Sequence, residues 1–570
     1  MRKGVLFMLI ILLALLNGSS PSLLQDSNLQ RELAGLSQRG LTYRFLDDET
    51  AEIREEWSGY SRIKTLQEPS ETAIRAWADT HGVPILEINP AMIDTSRYAG
   101  WYRYWAQVPL SNGIGGSLVV GDVNNDHLTE VYGAYRDFGT PVAFRIYGVD
   151  TSGQAALLHD YGLNGGISTR LLDADANGLS ELADQRGDTM FFFEQPNVSS
   201  LPTIRKFIHI MFQYPGTAIW TRVQFGNLDN DTCMDFLFRG TTPDSTPSRW
   251  HYGTYVAEYN NIVNNFQRVW SADFPPWGSS AIGGYITGDF DSDGKVEFIA
   301  SGISGGVYLM ENMAENQYGE VWRDSLPFVN MYYQTSGDVD NDGKKEFFVG
   351  ATMSNGNWTT MYETDSDNHY SPKFIFHLIS GGTLDEPTYL TTDVDGDGRL
   401  ELVICSGVDL YIFKSRNDNS YYLWYYKREN ARDGVQFYDF DNDGKKDFIV
   451  NKTFSNGQSL RFQADIYRAA NVVSVRGDSE PIPLWITLLE NYPNPFNSST
   501  TITYRVEQFA DIHLAVFDLL GREIALLAGG IHAPGEYTVQ WDANIYSSGI
   551  YLCNLRSRNH NITTKLLFLR

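Results

Sequence analysis

Gly288-Asp-Phe-Asp-Ser-Asp-Gly-Lys-Val-Glu297 is the stretch on which the fold turns. Asp289, Asp291 and Asp293 fall at alternate positions, Gly294 follows at position six, and Glu297 closes the run at position nine. The pattern of an acid or Asn at one, three and five, and an acid at nine, recurs seven times, starting at Asp122, Asp173, Asn227, Asp289, Asp338, Asp393 and Asp439. The starts are 51, 54, 62, 49, 55 and 46 residues apart. Position two is apolar in each copy (Val123, Ala174, Leu228, Phe290, Val339, Val394, Phe440), as is the residue after position nine. Each loop therefore lies between two strands. In the fourth copy, residues 281–287 read as a strand, 289–297 as the loop, and 298–301, 307–311 and 321–323 as three further strands. A sheet of this size cannot bury both faces alone, whereas radial stacking of several sheets does. Seven copies predict seven blades over residues 100–470.

The loop chemistry is that of a hard cation. Calcium takes six to eight oxygens, and alternate side chains of a short loop turn inward to supply them. Gly at position six permits the left-handed turn that this needs. The candidate ligands are Asp122, Asn124, Asp126 and Glu130; Asp173, Asp175, Asn177 and Glu181; Asp229, Asp231 and Asp235; Asp289, Asp291, Asp293 and Glu297; Asp338, Asp340, Asp342 and Glu346; Asp393, Asp395, Asp397 and Glu401; and Asp439, Asp441, Asp443 and Asp447. The last four loops are complete, with Gly294, Gly343, Gly398 and Gly444 at position six. His127 replaces that Gly in the first copy and Thr232 in the third, which ranks as the weakest site. Turn preference explains one acid in such a loop, not four in register with a Gly. Calcium is the expected ion, with a structural role at the base of each blade.

These loops resemble the FG-GAP and VCBS repeats of integrin α-chain propellers and of many bacterial surface proteins. Gly-Asp-Phe-Asp-Ser-Asp-Gly (288–294) and Gly-Asp-Val-Asp-Asn-Asp-Gly (337–343) fit that pattern most closely.

After a linker at 471–484 the text changes. Asn491-Tyr-Pro-Asn-Pro-Phe-Asn497, 500–504, 516–523, 535–541 and 548–551 alternate strand-like runs with turn signals, giving about seven short strands and a small Ig-like β-sandwich over 485–570. The segment resembles the C-terminal sorting domain of the type nine secretion system, with Ser498 where that family usually has Pro. The resemblance implies passage through outer-membrane secretion machinery and then release or surface attachment.

The N-terminus reads as a signal peptide over 1–20: Arg2 and Lys3 precede an apolar run at 5–16 that is too short to span a bilayer. No other apolar run reaches that length, so no transmembrane span is expected. Residues 21–99 form a partly helical extension. Ser70 caps a helix carrying Ile74, Trp77 and Ala78, ended by Gly82 and Pro84, and residues 48–57 read as a second helix.

The net charge of −26, from 44 basic and 70 acidic residues, opposes nucleic-acid binding. Cys233, Cys405 and Cys553 are too few and too scattered for a disulfide framework, and each is expected on a strand. Gly302-Ile-Ser-Gly-Gly306 matches a nucleophile elbow, but the next segment reads as a strand where that chemistry needs a helix. Arg476-Gly-Asp478 is a chance-level tripeptide. Aromatic clusters at 250–252, 270–277, 332–333 and 421–426 suit blade packing, or else sugar stacking. The expected class is an all-β secreted or cell-surface protein that binds an extracellular protein or glycan ligand. A secreted carbohydrate-active enzyme or lectin is the alternative. Ring closure is expected through residues 102–108, paired as the outer strand of the last blade beside 460–467. A strand at 471–475 is the rival.

Overall fold

The computed structural model describes residues 41–45, 50–55, 61–65, 68–111, 118–162, 167–186, 189–210, 224–231, 233–241, 252–273, 282–302, 305–329, 331–379, 387–428, 434–456, 458–470, 472, 486–488, 491–506, 510–518, 521–532, 535–557 and 560–569. The signal-peptide segment, Thr232 and Arg476-Gly-Asp478 lie outside them. Two compact units are present, Met1–Ser474 and Val475–Arg570.

The first unit is an all-β propeller. Among the described residues, seven sheets of four or five strands each hold one of the nine-residue loops between their first two strands. The fourth sheet runs Ile282–Gly288, Glu297–Gly302, Gly306–Ala314 and Gln317–Ser325, each strand antiparallel to the next. Its second strand is buried at every position, while the outermost is half-buried or exposed except at Tyr318. An inner strand is covered on both faces by neighbouring sheets, so it reads as a continuous apolar run. Gly302 ends one strand and Gly306 begins the next, so the nucleophile-elbow match sits in a strand-to-strand connection.

Consecutive sheets share their cores. Tyr132 and Phe144 of the first pack with Leu182 and Phe193 of the second, and Leu237 and Val256 of the third pack with Phe298 and Ala300 of the fourth. Val131 and Val149 of the first sheet join Ile449 and Ile466 of the last. That last contact closes the ring, and the chain's early strand secures it. Tyr102–Val108 pairs antiparallel with Leu460–Ala469, Ala464 facing Val108 and Ala469 facing Tyr102. An open end would have left a row of unpaired backbone groups at a sheet edge. Val108 is fully buried in this strand. Val108→Asp is expected to cost on the order of 3 kcal/mol or more by burying an unpaired charge, read as a lower melting temperature of the propeller.

Ahead of the closing strand, the helix Glu71–His81 forms as its sequence dictates. Ser70 accepts the Ala73 N–H at its N-terminus, and Gly82 ends it with φ 67°. Ile74 and Ala78 pack with Val349 and Trp358 of the fifth sheet, and Ile85–Ile88 adds a parallel strand to that sheet's outer edge. The second expected helix, at 48–57, is instead a strand. Thr50–Glu55 lies between Leu41–Phe45 and Ser61–Thr65 in a three-stranded antiparallel sheet. Ala51 and Ile53 alternate with Thr50, Glu52 and Arg54, which is the period of a strand rather than a helix.

The second unit has two sheets. Ile486–Leu488, Ser499–Val506 and Gly535–Asp542 form one, and Ala510–Phe517, Glu523–His532, Gly549–Ser557 and His560–Phe568 form the other. Ile502, Leu514, Val516, Trp541, Leu555 and Leu566 fill the core between them. No helix among the described residues is long and apolar enough to cross a membrane.

Candidate metal centres

The loops are tied by recurring backbone hydrogen bonds, because their acids point inward; the third departs at position one, where Asn227 donates its Nδ2 to the Asp231 carbonyl (2.5 Å). The position-one carboxylate accepts the position-six N–H, as between Asp338 and Gly343 (3.1 Å) and between Asp439 and Gly444 (2.8 Å). The position-five side chain accepts the N–H of position seven, as Asp293 does from Lys295 and Asp342 from Lys344 (both 2.8 Å). Glycines at six adopt φ 82–94°. Position four is also left-handed, at Asn125, Ala176, Asn230, Ser292, Asn341, Gly396 and Asn442. That requirement was not read from the sequence, although Asn, which tolerates it best after Gly, stands at four of the seven copies.

The position-nine acid is the centre of each loop. Glu130, Glu181, Asp235, Glu297, Glu346, Glu401 and Asp447 are at most 1% exposed. One oxygen of each accepts the N–H of position two, at 2.6–3.2 Å. In four copies the other oxygen is buried without a hydrogen-bond partner: Glu130 Oε1, Asp235 Oδ1, Glu297 Oε1 and Glu346 Oε1. Asp289 Oδ1, Asp338 Oδ1 and Asp340 Oδ1 are in the same condition. Ligand atoms of Asp289, Asp291, Asp293 and Glu297 lie within 4.8 Å of one another, as do those of Asp338, Asp340, Asp342 and Glu346, and those of Asp122, Asp126 and Glu130. Burial, reinforced by neighbouring loop carboxylates, pushes Glu297 up to about 8, Asp235 to about 8 and Glu346 to about 9. Such a cluster is unfavourable without a cation, since buried charges need partners.

The loops differ in what faces position nine from the third strand. Glu194 faces Glu181, Glu258 faces Asp235 and Glu311 faces Glu297. In the fifth sheet Tyr362 pairs with Phe347, which puts the next residue, Glu363, at the place opposite Glu346. In the sixth sheet this place belongs to Lys414, whose Nζ lies 2.6 Å from Asp395, 3.0 Å from Asp397 and 3.2 Å from Glu401. In the seventh, Arg468 pairs with Asp441. The second loop receives Lys206 from its outermost strand, bonded to Asp175 (2.6 Å) and Glu181 (2.8 Å). Burial alone would lower Lys414, yet Glu401 and Asp395 hold it above the ordinary lysine range. The sixth and seventh loops, complete as sequence patterns, thus already hold a side-chain cation against the position-three acid, and so does the second. In the fourth and fifth, Lys295 and Lys344 approach from the exposed side and reach only the position-five acid and the facing glutamate: Asp293 (3.0 Å) and Glu311 (2.6 Å), and Asp342 (3.8 Å) and Glu363 (2.5 Å). Glu258, Glu311, Glu363, Lys414 and Arg468 went unread because they lie outside the nine-residue window; strand pairing brings them in.

Cys405 and Cys553 sit on strands as expected, but Cys233 does not: it occupies position seven of the third loop, half-buried, and all three are free thiols. The run at 421–426 is packing material, with Tyr421, Trp424, Tyr425 and Tyr426 all buried.

Comparison with known proteins follows these two units. Residues 289–349 and 393–450 match the FG-GAP-like repeat, and residues 490–568 match the secretion system C-terminal sorting domain. No curated protein matches the chain. Among solved structures, the chain is similar to BBS1N in complex with ARL6DN (9% identity, 66% of this chain and 99% of that one, TM-score 0.42). It is also similar to PorZ, a bacterial surface component of the type-IX secretion system of Porphyromonas gingivalis (12% identity, 92% and 64%, TM-score 0.34). A third is the periplasmic gluconolactonase PpgL of Pseudomonas aeruginosa (9% identity, 72% and 99%, TM-score 0.39).

Proposed function

For a chain that carries FG-GAP-like repeats on a propeller and a type IX sorting domain that directs it to the cell surface or the medium, we propose a role in adhesion or extracellular ligand binding on a calcium-stiffened scaffold. The observation that carries the calcium reading is the set of buried, partnerless carboxylate oxygens converging in the loops, at Glu297, Glu346, Asp289, Asp338 and Asp340. Their donor set is all oxygen, which suits a hard cation such as calcium. The ion would hold the first two strands of a blade together at the loop, leaving the rest of the surface for a protein or glycan partner.

The test is a glycan and matrix-protein array probed with the mature chain, with calcium and with chelator. Retention on a defined ligand that falls on chelation is expected. Turnover of a sugar by the chelated chain would instead favour the carbohydrate-active enzyme.

A further inference from the structure

We propose that the third, fourth and fifth loops are cation sites shared between blades, each completed by an asparagine oxygen from the next blade: Asn316, Asn368 and Asn419. This rests on the calcium reading above and adds ligands and positions that the loop pattern does not contain.

The three asparagines occupy one structural place. Each lies in the hairpin between the third and fourth strands of its sheet, with φ 57°, 54° and 54°. Each donates its backbone N–H to the position-three carboxylate of the preceding blade's loop: Asn316 to Asp229 (2.8 Å), Asn368 to Asp291 (2.7 Å) and Asn419 to Asp340 (2.7 Å). Each donates its side-chain Nδ2 to the glutamate facing position nine: Glu258 (2.9 Å), Glu311 (2.8 Å) and Glu363 (2.8 Å). A carboxylate only accepts, so this bond fixes which end of the amide is nitrogen. In all three residues the remaining end, Oδ1, is buried with no hydrogen-bond partner. At the same three loops the position-nine acid is fully buried and also keeps one partnerless oxygen. Two chain segments therefore each hold an unsatisfied oxygen at the same loop. The facing glutamate is a positioning residue: it holds the asparagine by its nitrogen and leaves the asparagine oxygen for the ion, while in the fourth and fifth loops its second oxygen is bonded by Lys295 (2.6 Å) and Lys344 (2.5 Å).

The remaining loops vary in concert. The sixth would take its asparagine from the last blade. That blade has no third-to-fourth hairpin, because its outer strand is Tyr102–Val108 from the start of the propeller. Gly100 stands there with φ 79°, two residues before buried Tyr102, as Asn419 stands two residues before buried Tyr421. The facing residue is Lys414 rather than glutamate. The seventh loop repeats the exchange, with Arg468 facing and Gly153 (φ 86°) in the hairpin of the first sheet. In these loops glutamate goes with asparagine, and lysine or arginine goes with glycine; the first loop stands apart, with Gly148 facing Glu130. At the second loop Asn264 spends its oxygen on the Tyr259 hydroxyl (2.5 Å), and Lys206 fills the loop.

Equilibrium dialysis of the mature chain against calcium, followed by metal analysis, is expected to find one ion for each of the third, fourth and fifth loops. Asn368→Gly keeps the left-handed turn and the backbone N–H but deletes the oxygen. It should weaken one site on the order of tenfold and add a coordinated water to bound terbium, counted from luminescence lifetimes in H2O and D2O. Asn419→Gly should do the same at its own loop. A merely structural asparagine would lower the melting temperature and leave affinity and hydration unchanged; that result overturns the shared sites while the calcium reading stands. A wild-type chain that binds no calcium removes both. As a converse arm, Lys414→Glu combined with Gly100→Asn should add one ion to the count, and no gain counts against the proposal.

Discussion

The mature chain transferred from millimolar calcium to excess chelator should lose about 10 °C or more of melting temperature in the propeller unit. An ion that binds only the folded state stabilises it by about 2.7 kcal/mol at a concentration a hundred times its dissociation constant. Three such sites give roughly 8 kcal/mol, and 1 kcal/mol moves the midpoint of a domain of 150–250 residues by about 2–4 °C, less for a larger one. The sites lie where the fold has most to gain. Position-nine acids such as Glu297 and Glu346 are fully buried among the inner strands, each with one oxygen that nothing in the protein satisfies. The sorting unit, with its apolar core around Trp541 and Leu555, serves as an internal control and should melt alike under both conditions. Calorimetry of the full chain reads both transitions, and a calcium-independent propeller midpoint would end the structural role assigned to the ion.

Raising the pH from 6 to 9 should destabilise the metal-free propeller, by about 5 °C or more, and leave the calcium-loaded form little changed. The sign follows from the carboxyls at position nine. Burial and neighbouring loop acids push Asp235 and Glu297 up to about 8 and Glu346 to about 9 in the folded chain, against roughly 4 in an unfolded one. The folded state therefore holds protons that the unfolded state has released. The stability this contributes is complete below about pH 4 and is lost as pH climbs through the folded values. Calcium competes with those protons, so its affinity should rise over the same interval and its binding should release protons into a weakly buffered solution. Melts at pH 6, 7.5 and 9, each with chelator and with calcium, check both statements. A metal-free midpoint that stays level or rises toward pH 9 contradicts them.

The amino-acid sequence by itself determined the features that are local. Seven inward-turning loops, the glycines at position six, the apolar strand that follows each loop and the capped helix at Ser70 depend on residues within one turn or one strand of each other. Their period or spacing is therefore visible in the chain. The closing strand was legible too, because Trp-Tyr-Arg-Tyr-Trp-Ala-Gln-Val-Pro (101–109) resembles the outer strands of later blades and has no blade before it. The strand at Thr50–Glu55 was less legible, because its alternation rests on only two apolar positions, Ala51 and Ile53.

Tertiary structure alone decided what fills each loop. Glu311 and Lys414 are equivalent by strand register, not by any motif: the first holds Asn368 and Lys295 at the edge of its loop, whereas the second places an ammonium group among Asp395, Asp397 and Glu401. Asn368 is 77 residues from Asp291, yet donates its backbone N–H to it, because blades placed side by side bring the outer hairpin of one over the loop of the other. Strand pairing and blade stacking set those distances through space, and a linear pattern does not encode them.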